Sequence, residues 1–520
     1  MRSVYATRGS RRRSLLIGLA AVVLVGLALS QSFVRGYLQS VAGPAKRTAD
    51  PTPVVLIIFD ELPLVSMLDE ERAIDDQMFP GFARLASRTT WFRNATTLAP
   101  LTSDAVPSIL TGLDPDRLSL LLGGPVPQSI FTLLGDSHDI LASRAFPTLC
   151  HVEVCTPTPR VESSLPPPLD VFGAAPRGDS LVYFLDEMER VDGPCLCVLH
   201  LVMPHSPWRY LPTGQLYPGT RPLPGHIETP GPGRKWRDDE WLVRLSHHRH
   251  MLQAVFADRI LATVVDSLER HGLFQEAVVA VLADHGIAFT PEFPKRAATP
   301  LTAGDVAHVP LFVKMPHQQD PDVVDDPVEL IDVVPTITRA LRVSGELDLD
   351  GIDLFDPVGG RNRRMGPVEL DPGGADLERA LERKLEKFSS VKRWQDLFSL
   401  APSGTEGFLG QIVEEVVVDS DTTASVVDLA DLEKASARDR LLPALVKGQL
   451  SGGGAAATEL LALAVDGRVA AVTRSYVGDD GERRFYAMVP PWVLRRPPHT
   501  VDVLRIEPDG ALTRLSLTPG

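Results

Sequence analysis

The chain has 520 residues, room for one large domain and at least one smaller one. An apolar share of 44% is that of a globular protein and excludes a polytopic membrane protein. With 52 Lys and Arg against 67 Asp and Glu, the formal charge is -15, which leaves no basic footprint for nucleic acid. An anionic substrate stays compatible, because a cation and local dipoles can hold an anion inside an acidic protein.

The N-terminus carries Arg2, Arg8, Arg11, Arg12 and Arg13 ahead of an apolar run from Leu15 to Leu29. A basic flank before an apolar segment predicts a membrane helix within residues 1–35, retained as a signal anchor. A span needs about 20 residues, so it would take in Phe33 and Val34. Ala28-Leu29-Ser30 resembles a small-residue cleavage site, so a cleaved signal peptide is the alternative. The chain is thus expected at the cell membrane, single-pass with its catalytic part outside the cytoplasm, or secreted after cleavage. Cys150 and Cys155 flank a short turn-like segment and suit a small-loop disulfide in an oxidising compartment. Cys195 and Cys197 share one face of a strand and read as buried thiols.

Residues 36–52, with Gly43, Pro44 and Pro51, read as a linker. A βα alternation follows. Val54–Phe59 is a continuous apolar strand, as expected where both sheet faces are covered. Phe82, Leu85 and Ala86 mark a short helix, and Trp91 and Phe92 a strand. Ala105–Leu110 reads as a helix entered through Ser103 or Asp104 as N-cap. Residues 120–180 and 211–237 are loop-rich. Cys195–Met203 is a strand, and His248–Gly272 a helix with a single apolar stripe and a terminal glycine. Ala277–Ala283 and His308–Met315 are strands, and Ile331–Leu341 is a helix. This order predicts an α/β domain over residues 53–360 with a mainly parallel sheet flanked by helices. Residues 361–455 read as mixed helix and linker. Short alternating segments with Asp466-Gly467 and Asp509-Gly510 turns predict a small β domain over residues 456–520.

Two of these strands end in metal-ligand chemistry, Asp60-Glu61 and Asp284-His285-Gly286. In open α/β sheets, sites form at the carboxyl ends of strands. Hard oxygen and imidazole donors brought there from distant segments suggest one divalent metal site. Phe59-Asp60-Glu61, the stretch Thr102 to Gly112, Pro204-His205-Ser206-Pro207, Ala283-Asp284-His285-Gly286 and His308-Val309-Pro310 occur in one order. Ile331–Thr336 and Asp350-Gly351 follow them. Together they resemble sulfatase-like members of the alkaline phosphatase superfamily over roughly residues 53–356.

The resemblance implies an alkaline-phosphatase-like fold and a metal-activated nucleophile that attacks a phosphoryl or sulfuryl centre. It aligns Thr102 with the nucleophile, with Ser103 the alternative. Asp60, Glu61, Asp284 and His285 align with metal ligands, with Thr102 beside them, and His205 with a substrate-side acid or anion binder. His308 either shapes its loop or meets metal or substrate. Lys295 and Arg296 are either solvated or an anion clamp. His200 reads as a core histidine, and His247, His248 and His250 as solvated or supporting. Sulfatases of this family carry Cys or Ser in a C/S-x-P/A-x-R motif, and here that stretch is Thr102-Ser103-Asp104-Ala105-Val106. Threonine cannot become formylglycine. It resembles instead the phosphoglycerol- and phosphoethanolamine-transferase branches, with one divalent ion (Mn, Mg, Ca or Zn). The expected activity is hydrolysis or transfer of phosphate esters or diesters, on an anionic, lipid-linked or envelope substrate. Sulfate-ester hydrolysis and a degenerate envelope-binding protein are the alternatives.

Overall fold

The computed structural model describes residues 49–121, 128–142, 181–191, 193–219, 223–227, 235–356, 362–414, 416–453 and 458–519. The expected membrane helix, most of the linker, and Cys150 and Cys155 lie outside these. Among the described residues no helix is long and apolar enough to cross a membrane.

The first sheet is built from β1 (Val54–Asp60), β2 (Thr90–Phe92), β3 (Asp139–Ala142), β4 (Cys195–Pro204), β5 (Val278–Ala283), β6 (Leu311–Lys314) and β7 (Asp322–Val324). Its order is β3-β4-β1-β5-β6-β2-β7. The pairs β3/β4, β4/β1, β1/β5 and β2/β7 are parallel, and β6 runs antiparallel to both neighbours. The sheet is therefore mainly parallel, with one reversed strand. Every residue of β1 and β5 is buried, the pattern of strands covered on both faces.

Helices α1 (Pro80–Ala86), α2 (Thr102–Thr111), α3 (Glu240–Arg270), α4 (Val333–Ala340) and α5 (Ala375–Lys387) pack around it. The long α3 begins two turns before the expected His248, capped by Asp239, whose side chain accepts from the Leu242 amide. It ends at Gly272, in the left-handed conformation with φ 73°. Helix α2 starts at Thr102 with Leu101 at its N-cap position, so neither Ser103 nor Asp104 caps it.

The second sheet has eight strands: β8 (Val417–Val426), β9 (Leu445–Gly452), β10 (Leu460–Val465), β11 (Arg468–Arg474), β12 (Tyr476–Val477), β13 (Arg483–Met488), β14 (Val501–Ile506) and β15 (Leu512–Pro519). Its order is β11-β10-β14-β15-β8-β9-β13-β12. Strands β8 and β9 fall inside residues 361–455, the stretch read as helix and linker, so the β-rich part starts earlier than 456. Asp466 and Gly467 both take positive φ, 51° and 71°, as the tight β10–β11 hairpin requires. The second sheet meets α3 directly, where the Trp241 indole N–H donates to Thr473 Oγ1 at 3.0 Å.

Candidate metal and nucleophile site

The site lies at the carboxyl ends of β1, β4 and β5, which are adjacent in the order β4-β1-β5. Asp60 ends β1 and Asp284 follows β5. The Asp284 amide donates to the Phe59 carbonyl at 2.9 Å, extending the pairing one step beyond both strands. Asp284 Oδ1 accepts from its neighbour's amide, His285 N, at 2.7 Å, and from Glu61 N at 3.1 Å. One carboxylate oxygen is thereby fixed by two backbone donors. The other, Oδ2, is buried and has no hydrogen-bond partner.

Thr102 brings a hydroxyl to this point from the first turn of α2. Its Oγ1 lies 3.2 Å from His285 Nε2 and 3.4 Å from Asp60 Oδ1. His285 Nε2 is also 3.9 Å from Asp60 Oδ1 and 3.7 Å from Asp284 Oδ2. His285 Nδ1 faces the Gly286 carbonyl at 3.0 Å, and a carbonyl only accepts, so Nδ1 carries the proton. In the neutral ring, Nε2 then presents its lone pair to Thr102 and the two carboxylates.

Burial sets the charge states. It pushes Asp60 up to about 7, and repulsion from Asp284 adds to the effect. Asp284 is also pushed up to about 7 by burial, against its backbone hydrogen bonds from Glu61 and His285 and the pull of the nearby Thr102 hydroxyl. Burial lowers His285, with Arg296 acting in the same direction. Two carboxyls that resist ionisation, an unpartnered carboxylate oxygen and a neutral imidazole fit a divalent cation. Asp60, Asp284, His285 and Thr102 are the residues that would hold it.

His200 was expected in the core, and the structure sets it at this site. Asp60, His200 and Asp284 each offer a ligand atom within 4.8 Å of one another. Burial pushes His200 down to about 3, with His205 and His285 adding to it, so the ring is neutral. Nothing in the sequence marks His200, which sits inside the apolar run of β4. The marker is the strand order, which lays β4 beside β1.

Glu61 departs from the expected metal role. Its φ is +65°, in the left-handed region, and its carboxylate is taken up by partners other than the cluster. Its Oε1 accepts from Arg296 Nε at 2.7 Å and lies 3.5 Å from Lys295 Nζ, while Oε2 accepts from Ser206 N at 3.1 Å. Burial works against the charge, but Arg296 and Lys295, with His205, more than offset it and hold Glu61 well below the usual carboxylate range. Lys295 and Arg296 are accordingly neither solvated nor free clamps; both are tied to Glu61.

His205 follows β4, half-buried, and its charge bears on both Asp60 and Glu61. Ser103 is exposed, with its hydroxyl on Asp104. His308 is fully buried, and neither ring nitrogen has a hydrogen-bond partner. Burial pushes it down to about 3, with the charges of Arg363 and Arg72 adding to the effect. His247, His248 and His250 are buried, not solvated, because the second sheet and the loops cover the remaining sides of α3. His250 alone reaches the site, its Nε2–H donating to the Glu61 carbonyl at 3.0 Å.

Two aspartates, two histidines and a threonine thus meet at the carboxyl edge of an α/β sheet. Residues 175–343 match the family model described as Sulfatase, and the resemblance read from the motifs holds over that segment. No curated protein matches the sequence. Among solved structures, the chain is similar to the phosphonate monoester hydrolase of Agrobacterium radiobacter (14% identity, 60% of this chain, 79% of that chain, TM-score 0.42). It is also similar to the lipoteichoic acid synthase LtaP from Listeria monocytogenes (15% identity, 67% and 94%, TM-score 0.41). A third is BT1596, a 2-O GAG sulfatase (12% identity, 86% and 87%, TM-score 0.43).

Proposed function

We propose that the chain is a metal-dependent hydrolase or transferase of phosphate esters or diesters that works through a covalent threonine intermediate. The observation that carries this reading is the Thr102 hydroxyl, 3.2 Å from His285 Nε2 and 3.4 Å from Asp60 Oδ1, at the start of a ten-residue helix. A bound divalent cation would lower the hydroxyl's pKa and offset charge on the transferring group. Thr102 Oγ gives its proton to water, to be regained when the ester is cleaved, and forms the new bond to phosphorus as the bond to the leaving oxygen breaks. The Thr102 and Ser103 amides at the start of α2 have no intrahelical partner and would face the anion at that end. His205 supplies the proton to the departing alcohol. Water, or an acceptor hydroxyl, then displaces Thr102 from phosphorus and completes hydrolysis or transfer.

The match to a model described as Sulfatase favours sulfate esters as the second reading. Against it stands Thr102, where an oxidised Cys or Ser would be needed. A lipid-linked or envelope phospho-compound suits the membrane tether expected from residues 1–35, and both remain part of this proposal. Protease shaving of intact cells tests the placement, since a catalytic part inaccessible from outside would refute it. The central test is a panel of phosphomonoesters, phosphodiesters and sulfate esters with Mn, Mg, Ca or Zn. Thr102→Ala should lose turnover by at least about 10³-fold while still binding the ion. Full turnover by Thr102→Ala refutes the nucleophile, and turnover of sulfate esters alone refutes the phosphoryl preference.

A further inference from the structure

Helix α3 carries a row of buried polar residues that serves no purpose within the helix. Arg249, His250 and Gln253 are at most 1% exposed. Their spacing of three and four positions puts them on neighbouring turns of one side. A polar side chain at such depth costs stability unless its hydrogen bonds are met. Each of the three places at least one hydrogen bond on the backbone of loops that leave the sheet at the catalytic edge.

Gln253 is the centre of the row. Its Oε1 accepts from the amides of Arg209, at 2.8 Å, and Tyr210, at 3.1 Å. Its Nε2 donates to the carbonyls of Pro204, at 3.1 Å, and His205, at 2.9 Å. One amide side chain thus satisfies four backbone groups and draws both ends of the segment 204–210 onto α3. Arg249 Nη2 adds a bond to the Trp208 carbonyl at 2.8 Å, between them. One turn away, His250 binds the Glu61 carbonyl, and Glu61 in turn takes the Ser206 amide. The loop bearing His205 and the loop bearing Asp60 are therefore referred to the same rigid helix.

We propose that Gln253 is a positioning residue that holds the His205 backbone at the catalytic edge. It touches neither substrate nor reacting atoms and acts through His205. The inference rests on the role given above to His205.

The test is a double-mutant cycle on the full-length chain with bis(4-nitrophenyl) phosphate as the probe. Gln253→Met keeps nearly the side-chain volume and removes all four bonds. It should lower kcat about 10- to 100-fold, the cost of a misplaced catalytic group. The metal concentration for half-maximal rate should stay within about threefold, because the Asp60–Asp284–His285 cluster does not depend on Gln253. In a His205→Ala background, the same substitution should cost less than about threefold, since the group it positions is gone. Gln253→Glu covers the case in which the Met variant does not fold. It keeps both accepted bonds and loses both donated ones, and its loss in kcat should likewise vanish without His205. An equal cost in both backgrounds, or an unchanged kcat in the single variants, overturns the proposal. If His205→Ala alone keeps full turnover while Thr102→Ala is inactive, the role of His205 falls and this proposal with it. If Thr102→Ala stays active, the nucleophile assignment fails, but the cycle still reads Gln253 against His205.

Discussion

Replacing Arg296 with Met tests whether Glu61 belongs to an ion pair or to the metal. The Glu61 carboxylate is fully buried, and its shortest partner is Arg296 Nε at 2.7 Å. Without the guanidinium, the charge would rest on Lys295 at 3.5 Å and on the Ser206 amide. Removing one partner of a buried pair costs about 3–5 kcal/mol, mostly the penalty of the charge left behind. The remaining lysine places this case near the lower bound, about 3 kcal/mol. For a domain of about 300 residues, each kcal/mol moves the melting temperature by roughly 1.6 °C, so Arg296→Met should melt about 5 °C lower at pH 7. The pH dependence has a definite sign. Glu61 is held well below its ordinary 4.5, so its contribution is complete above that value and is lost as pH falls through the folded pKa. The gap between wild type and variant should therefore narrow steadily below pH 4.5. Metal affinity supplies the second readout. Glu61→Gln should bind the divalent ion within about threefold of wild type, whereas Asp284→Asn should lose it by 100-fold or more, roughly a 2.7 kcal/mol difference. Thermal melts and isothermal titration measure both. A melting temperature unchanged in Arg296→Met, or metal release in Glu61→Gln, would show that the carboxylate serves the cation after all.

Gly286 has no room for a side chain: a Cβ there would lie 2.0 Å from the Asp305 carbonyl oxygen. Gly286→Ala should cost at least about 1–3 kcal/mol in denaturant unfolding and also slow turnover, because the Gly286 carbonyl fixes the His285 tautomer. Ser103→Ala removes an exposed hydroxyl and should leave kcat within about twofold, and a large loss would move the nucleophile to Ser103. Asp60 and Asp284, both near 7 without a cation, must ionise to bind one, so metal uptake at pH 6.5 should release protons, read by titration in buffers of different ionisation enthalpy. Their folded pKa values are raised, so the metal-free chain loses stability as pH climbs through 7, and saturating metal should abolish that decline in melting temperature.

The parts of this arrangement that could be read from the sequence are those written along one chain segment. Val54–Phe59 and Ala277–Ala283 are apolar runs that break into ligand residues, and a strand buried on both faces has to read that way. The Asp466-Gly467 hairpin was legible for a similar reason, since few residues other than Asp, Asn and Gly take two consecutive positive φ values. Strands β8 and β9 were not, because Asp419, Ser420 and Asp421 dilute one and Lys447, Gly448 and Gln449 the other. The early start of α3 was hidden too. Trp241, Leu242, Val243 and Leu245 do not form a single stripe, since that end of the helix is covered on several sides, in part by the second sheet.

Side-chain direction and strand neighbourhood are a different kind of information. Asp60 and Glu61 are adjacent and both acidic, yet the first joins the cation cluster and the second, at positive φ, pairs with Arg296. His200 looks like any polar residue trapped in a core strand until β4 is known to lie beside β1, with His200 opposite Ile58 and a register shift before Asp60. Parallel neighbours are joined by long crossovers, so nothing local encodes which strands meet. The same limit explains why Gln253 escaped notice on a helix read only for its apolar stripe. Its four partners lie 43 to 49 positions away, on a loop whose only local clue is Pro204-His205. Residues that carry the chemistry can be read from strand ends, but those that aim it are set by packing between segments.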